Sequence, residues 1–344
     1  MPKPLSVDIF LSEARNFPVL DVRTPAEFHA GHIPGAVNLP LFTNEERAVV
    51  GTIYKQKGNQ EAVLKGLEYV GPKMADFVRE ARKAAVDGRV LVHCWRGGMR
   101  SGSMAWLFES AGLEAFTLKG GYKAFRNHLL ASFGRKFDLR VVGGETGSGK
   151  TEILHAIGRA GEQILDLEAI ASHRGSSFGA LGQAPQPSIE HFENELFAAI
   201  EQLDPSRPVW IEDESKSIGR VYLPKDFWEQ KIAAPVYRIR LPFETRVARL
   251  VKDYGHFPKE LLAEGVLRIK KRLGGLATQQ AIEALDNGNL AEVTRITLRY
   301  YDKAYDFPHQ DRKYENVHFI ETETGDPEAN ADLILKFVGK VGSK

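Results

Sequence analysis

At 344 residues the chain can hold two domains with separate cores, and 43% hydrophobic with 26% charged content is ordinary for a soluble globular protein. The net charge of +1 excludes no class of partner, because a local basic face disappears in a neutral total. One cysteine excludes an intrachain disulfide and a zinc site built on paired thiolates, and a single thiol suits a reducing compartment. No apolar run approaches the ~20 residues of a membrane span. The Met-Pro-Lys-Pro start is not a signal peptide, so a cytoplasmic location without a membrane partner is expected.

In chain order, Val19 to Val22, Ala36 to Leu39 and Val90 to His93 read as short buried strands. A helical stretch from Ser101 to Ala111 follows, then a strand at Phe116 to Leu118 that ends in Gly120-Gly121. A basic break at Gly134-Arg135-Lys136 opens a second series. Its strands are expected at Leu139 to Val142, Gln163 to Leu165, Pro208 to Ile211, Val236 to Leu241 and Val317 to Ile320. Helical patterns cover Thr151 to Arg159, Ser188 to Leu203 and Phe243 to Tyr254. Lys259 to Asp306 is almost all helical, broken near Gly274-Gly275 and Asn287-Gly288. Alternating strands and helices imply parallel sheets with helices on their faces. The expectation is an α/β protein with a domain at 1–135 and a second at 136–344 that carries a helical extension.

Cys94 lies in His93-Cys94-Trp95-Arg96-Gly97-Gly98-Met99-Arg100-Ser101, between a strand and a helix. A thiol there meets loop amides and the positive end of a helix, the setting that favours a thiolate. Arg96 and Arg100 supply charge for an anion, and Gly97 and Gly98 let the loop wind into a nest of inward amides. An inert core thiol is the commoner fate of a lone cysteine, but it needs no flanking arginines and glycines. The loop also fits His-Cys-x5-Arg-Ser, the cysteine-phosphatase pattern. Attack on phosphorus and attack on a chalcogen bound to phosphorus both stay open.

Gly144-Glu145-Thr146-Gly147-Ser148-Gly149-Lys150-Thr151 fits G-x-x-x-x-G-K-[ST] between a strand and a helix, a phosphate cradle. Lys150 would reach a terminal phosphate. A magnesium ion, if one is used, would sit at Thr151 and an acid from another strand end. Asp213 is the first choice for that acid and Asp166 the second, with helix or turn capping as the alternative for each. His173 to Gly179, with Arg174, Ser176 and Ser177, has the composition of a lid over an anion, or of a solvated connector.

The stretches Asp21 to Phe28 and Gly31 to Pro40, with the Cys94 loop, closely resemble the rhodanese family. The resemblance makes Cys94 a chalcogen carrier and puts Asp21 and Arg23 in the framework around its loop. This loop is one residue longer than a typical rhodanese loop, which suits a bowl for a whole phosphate. A rhodanese domain followed by the Lys150 loop, His173 to Gly179 and Ile211 to Lys216 resembles the tRNA 2-selenouridine synthase family over essentially the whole length. That resemblance implies a tRNA partner with a 2-thiouridine wobble base. It also implies S-geranylation from geranyl diphosphate and displacement of the thiogeranyl group by selenium from selenophosphate, through a Cys94 perselenide. No tightly bound cofactor is implied, and a selenophosphate-producing enzyme is a candidate partner. A cysteine-dependent phosphatase or sulfurtransferase fused to a small-molecule kinase is the rival reading.

For tRNA the candidates are Arg268, Lys270, Lys271 and Arg272, then Arg295, Arg299 and Lys303, which share a helical face. Tyr300, Tyr301 and Tyr305 stand ready to stack a base, although a solvated basic face with aromatics turned inward is the usual outcome.

Overall fold

The computed structural model describes residues 3–305 and 316–341; Asp306, the expected end of the long helical stretch, lies outside them. The chain divides into two compact units, Met1–Phe133 and Gly134–Lys344.

The first unit runs β1 (Lys3–Leu5), α1 (Val7–Glu13), β2 (Val19–Asp21), α2 (Pro25–Ala30), β3 (Val37–Asn38), α3 (Asn44–Lys57), α4 (Asn59–Val70), α5 (Met74–Ala84), β4 (Arg89–His93), α6 (Met99–Ser110), β5 (Glu114–Leu118) and α7 (Gly121–Ser132). Its five strands pair in parallel in the order β1-β5-β4-β2-β3. Central β4 buries Val90, Leu91 and Val92, as expected for a parallel strand covered on both faces. Met104, Ala105 and Phe108 of α6 pack on that core at helical spacing. The sequence reading missed β1, a three-residue edge strand where Pro4 is tolerated.

A buried ion pair ties β2 to the following chain. Arg23 donates from Nη2 to Asp21 Oδ2 at 2.6 Å and from Nε to both carboxylate oxygens at 3.0 Å. Its Nη2 also reaches Gly31 O at 2.7 Å, and its guanidinium lies 3.8 Å from the Tyr122 ring centre. Both charges are fully buried.

The second unit runs β6 (Leu139–Gly144), α8 (Lys150–Arg159), β7 (Gln163–Leu165), α9 (Leu167–Ala171), α10 (Ile189–Ile200), β8 (Val209–Glu212), β9 (Ser217–Ile218), β10 (Val221–Tyr222), α11 (Lys225–Ala233), β11 (Val236–Arg240), α12 (Phe243–Tyr254), α13 (Lys259–Arg268), α14 (Lys270–Leu273), α15 (Gly275–Asp286), α16 (Leu290–Tyr305), β12 (Val317–Glu321) and α17 (Pro327–Val341). The main sheet is parallel, ordered β12-β11-β6-β8-β7, so β6 is central and has β8 beside it. Ile153, Leu154 and Ile157 of α8 pack on that sheet with α17. Helices α13, α15 and α16 gather a separate core around Val266, Ala281 and Val293.

Replacing Asp21 by Asn leaves Arg23 buried and uncompensated. We expect the N-terminal transition in a urea titration to lose about 3–5 kcal/mol; a loss below about 1 kcal/mol would remove the pair from its structural role.

Candidate functional site

Cys94 follows β4 directly and is 3% exposed. Its Sγ lies 3.2 Å from Ser101 Oγ, in the first turn of α6, and that hydroxyl donates to Gly98 O at 3.2 Å. A hydroxyl has one proton. With Gly98 O as its acceptor it receives the thiol proton; beside a thiolate it can turn and donate to sulfur.

The loop is pinned from behind by the start of α7. Tyr122 N donates to Cys94 O at 2.8 Å and Lys123 N to Trp95 O at 3.0 Å. The backbones nearly touch: a Cβ at Gly121 (φ +61°) would lie 2.4 Å from both Cys94 O and Gly97 N, and one at Gly97 (φ +64°) would lie 2.6 Å from Leu118 O. Only glycine fits both places. Gly120-Gly121, taken from the sequence as a strand terminus, is the back wall of the cysteine loop.

Charge is distributed differently from expectation. Arg100 is held by Glu27 at 2.8 and 3.3 Å, so it braces the loop rather than standing free for an anion. Burial would raise the Glu27 carboxyl, but the Arg100 hydrogen bond and charge hold it below the usual range. Arg96 is the exposed cation of the loop and has no ion pair among the described residues. Gly98 caps α6, whose first residue, Met99, is 63% exposed, and Trp95 leans on Tyr122 with ring centres 5.7 Å apart. Asp21 and Arg23, grouped by sequence with the anion loop, are sealed in their own pair and support it from beneath. Burial would raise Asp21, but His93 and Arg23 outweigh it and hold the carboxyl low. Burial drives His93 itself, 3.6 Å from Asp21, down to about 4.

In the second unit Gly147 (φ +81°) and Gly149 (φ +82°) turn the chain from β6 into α8. A Cβ on Gly149 would meet the Arg249 guanidinium at 2.7 Å. Lys150 Nζ donates to Gly144 O at 3.3 Å, and buried Ser148 Oγ has no hydrogen-bond partner among the described residues. Glu145 lies 3.5 Å from Arg246, which also donates to Thr146 O. The loop opens on a cavity of about 660 Å³ whose rim includes Lys150, Thr151, Arg174, Ser176 and Arg249.

The acid that meets Thr151 is neither sequence candidate. Thr151 Oγ1 donates to Glu168 Oε2 at 2.6 Å. Asp166 instead caps α9 by accepting from Ala169 N and pairs with His155 at 2.6 Å. Asp213 lines the cavity but faces Lys231 at 3.4 Å and Arg238 at 3.8 Å. The β8 ladder ends here: Asp213 N donates to Val142 O, Glu214 N turns back to Glu212 O, and Asp213 and Glu214 both line the cavity. Burial pushes Glu214 up to about 7 against the pull of Lys150, raises Glu168, and raises Glu212 well above the carboxylate range with help from Asp166.

Thr151 and Glu168 are hard oxygen donors of the kind magnesium takes. Among the described residues no three His, Cys, Asp or Glu side chains form a metal cluster.

The lid residues Arg174 and Ser176 do face the cavity. Ser177 does not: its N donates to Tyr301 Oη at 3.2 Å, and its hydroxyl also bonds Tyr301. Tyr254 lines the same cavity as Arg174 and Ser176. Tyr301 is thus part of the lid's support, not a free stacking platform. Among the tRNA candidates, Arg268 donates to Ser177 O at 3.0 Å, and Arg295 is held by Glu244 and Glu292. Lys270, Lys271, Arg272, Arg299 and Lys303 are exposed.

Residues 137–326 match the model described as the tRNA 2-selenouridine synthase AAA domain, and residues 10–128 match the rhodanese-like domain. A Bdellovibrio bacteriovorus protein named tRNA 2-selenouridine synthase is 37% identical, over 85% of this chain and 88% of that protein. One of that name from Sulfurovum sp. is 38% identical, over 88% and 92%. The chain belongs to the tRNA 2-selenouridine synthase family. The crystal structure of the N-terminal domain of a putative ATP/GTP binding protein from Clostridium difficile is 40% identical over 37% of this chain and 99% of that one, with a TM-score of 0.35. Both family domains fall on the units described above, and each unit carries one of the two loops. No helix among the described residues is long and apolar enough to cross a membrane.

The raised Glu214 carboxyl gives this family member a pH signature. Below about 7 Glu214 is protonated and neutral; above it the carboxylate repels an anion held at Lys150. Wild-type affinity for pyrophosphate should therefore fall from pH 6 to pH 8 at least about tenfold more than that of Glu214→Gln, since a unit charge within about 12 Å contributes about 1.4 kcal/mol or more at an effective dielectric near 20. Parallel pH profiles in calorimetry would contradict this.

Proposed function

We propose that this protein is an enzyme that modifies tRNA, converting a wobble 2-thiouridine to 2-selenouridine in two steps. The observation that carries the reading is one chain holding both a nucleophile bowl, with Cys94 3.2 Å from Ser101 Oγ, and a phosphate cradle at Lys150. In the first step the 2-thio sulfur attacks C1 of geranyl diphosphate. The C–S bond forms, the C–O bond breaks, pyrophosphate leaves and the uridine N3 proton is lost. The P-loop amides, Lys150 and Arg174, the last two lining one cavity, would receive the charge that grows on the departing diphosphate. Magnesium at Thr151 and Glu168 would neutralise part of that charge.

In the second step selenium from selenophosphate replaces the thiogeranyl group at C2. Alkylation has turned a poor leaving group into a thiol. Cys94 carries the selenium: its thiolate attacks selenium, an S–Se bond forms as Se–P breaks, and the bonding pair leaves on phosphorus as phosphite. The perselenide selenium then attacks C2 as the C–S bond breaks and geranyl thiol leaves. An external thiol attacks the Cys94 sulfur, forming a disulfide as S–Se breaks and leaving selenium on the base. The bowl and exposed Arg96 hold the phosphate part. A phosphatase-like alternative, attack of Cys94 on phosphorus, is favoured by the Ser101 hydroxyl beside Sγ and would show as turnover of an aryl phosphate.

Cys94→Ser should abolish 2-selenouridine while S-geranyl-2-thiouridine still forms, read by mass spectrometry of digested tRNA. Loss of both products would contradict the division of labour. Lys150→Ala should slow geranyl transfer by about 10²–10³, the scale of removing one preorganised charge donor; an unchanged rate would remove the P-loop from that step.

A further inference from the structure

Beside the P-loop cavity lies a narrow slot of about 50 Å³ that shares Thr146, Ser176, Leu250, Tyr254 and Tyr301 with it. Its remaining walls are apolar: Phe178 of the lid, Leu262 of α13, and Leu290, Val293 and Leu298 of α16. Thr294 and Thr297 also border it, but their hydroxyls donate to Leu290 O at 2.8 Å and Val293 O at 2.9 Å, leaving the slot no free donor from either. A nucleoside in such a slot would leave its polar edges unpaired, which is costly; a hydrocarbon gains from the same walls.

We propose that this slot takes the hydrocarbon tail of the diphosphate ester whose head the P-loop holds. The inference rests on the prenyl-diphosphate reading given above and assigns its tail site. The slot is smaller than the about 150 Å³ that admits a benzene-sized guest, so a wall must shift for the tail to enter. Phe178 is that wall. It sits on the lid and packs so closely on α13 that a Cβ at Gly265 would lie 2.2 Å from its ring. Tyr254 and Tyr301 border both spaces with their bodies, and Tyr301 holds the lid at Ser177 with its hydroxyl. Admitting the tail and setting Arg174 and Ser176 over the head group are therefore one motion. A bare diphosphate would bind without triggering it.

Calorimetry with inorganic pyrophosphate, geranyl diphosphate and farnesyl diphosphate tests this on the full chain. Wild type should bind geranyl diphosphate at least about tenfold tighter than pyrophosphate, a modest return for burying a prenyl chain. Val293→Phe fills the slot and should bring that ratio to about one, with pyrophosphate affinity unchanged within twofold. Leu298→Ala enlarges it and should shift preference towards farnesyl diphosphate about tenfold. If wild type shows no preference for the prenyl ester, the prenyl-diphosphate reading fails and the tail site with it. If the preference exists and both variants retain it, the tail lies elsewhere and only the slot assignment is overturned. Should Val293→Phe lose pyrophosphate binding through misfolding, the chain-length shift in Leu298→Ala decides alone.

Discussion

Both anion loops exist because the backbone approaches other atoms more closely than a side chain allows. A central parallel strand delivers the chain to the C-terminal end of its sheet, and a helix must start there with its amides unpaired. Turning between the two without filling the space takes glycine. At the first loop, Gly97 and Gly121 cross with room for no Cβ. At the second, Gly147 and Gly149 take left-handed backbone and let Arg249 close behind the cradle. What differs is the chemistry placed beside each turn: a buried sulfur against a hydroxyl in one unit, a lysine among carboxyls in the other.

The carboxyls beside Lys150 explain how an acidic pocket can receive an anion. Glu168, Glu212 and Glu214 are buried, and burial raises all three; Lys150 opposes it for Glu168 and Glu214. Part of the cluster is therefore neutral near pH 7, so the cavity is less negative than its composition suggests. In the first unit the cations are divided between bracing and binding. Arg23 and Arg100 are committed to Asp21 and Glu27, which leaves Arg96 to meet solvent.

Much of this was legible in the sequence wherever a local pattern carries the physics. The parallel strands, the Cys94 loop, the P-loop and the lid residues Arg174 and Ser176 announce themselves through short runs with mechanistic spacing. Long-range pairing was not legible. Nothing local says that Arg100 meets Glu27, 73 positions away, or that Tyr301 holds Ser177, 124 positions away. Ile211 to Ser215 offers three consecutive acids, and nothing local says that Asp213 meets Lys231 while Glu168 meets Thr151. Glu168 was passed over for Asp166, yet the N-cap geometry of α9 gives Asp166 a backbone role. The apolar slot was invisible, since α13, α16 and the lid meet only in three dimensions.

The central claim is that Cys94 itself takes selenium from an anion seated in its own loop. Intact-protein mass spectrometry after mixing with selenophosphate, without tRNA, tests it directly, with peptide mapping to place the adduct. The account predicts one selenium atom retained on Cys94 and lost on adding S-geranylated tRNA together with a thiol. An unmodified thiol, or a phosphoryl group on Cys94, in protein that still forms 2-selenouridine would contradict it.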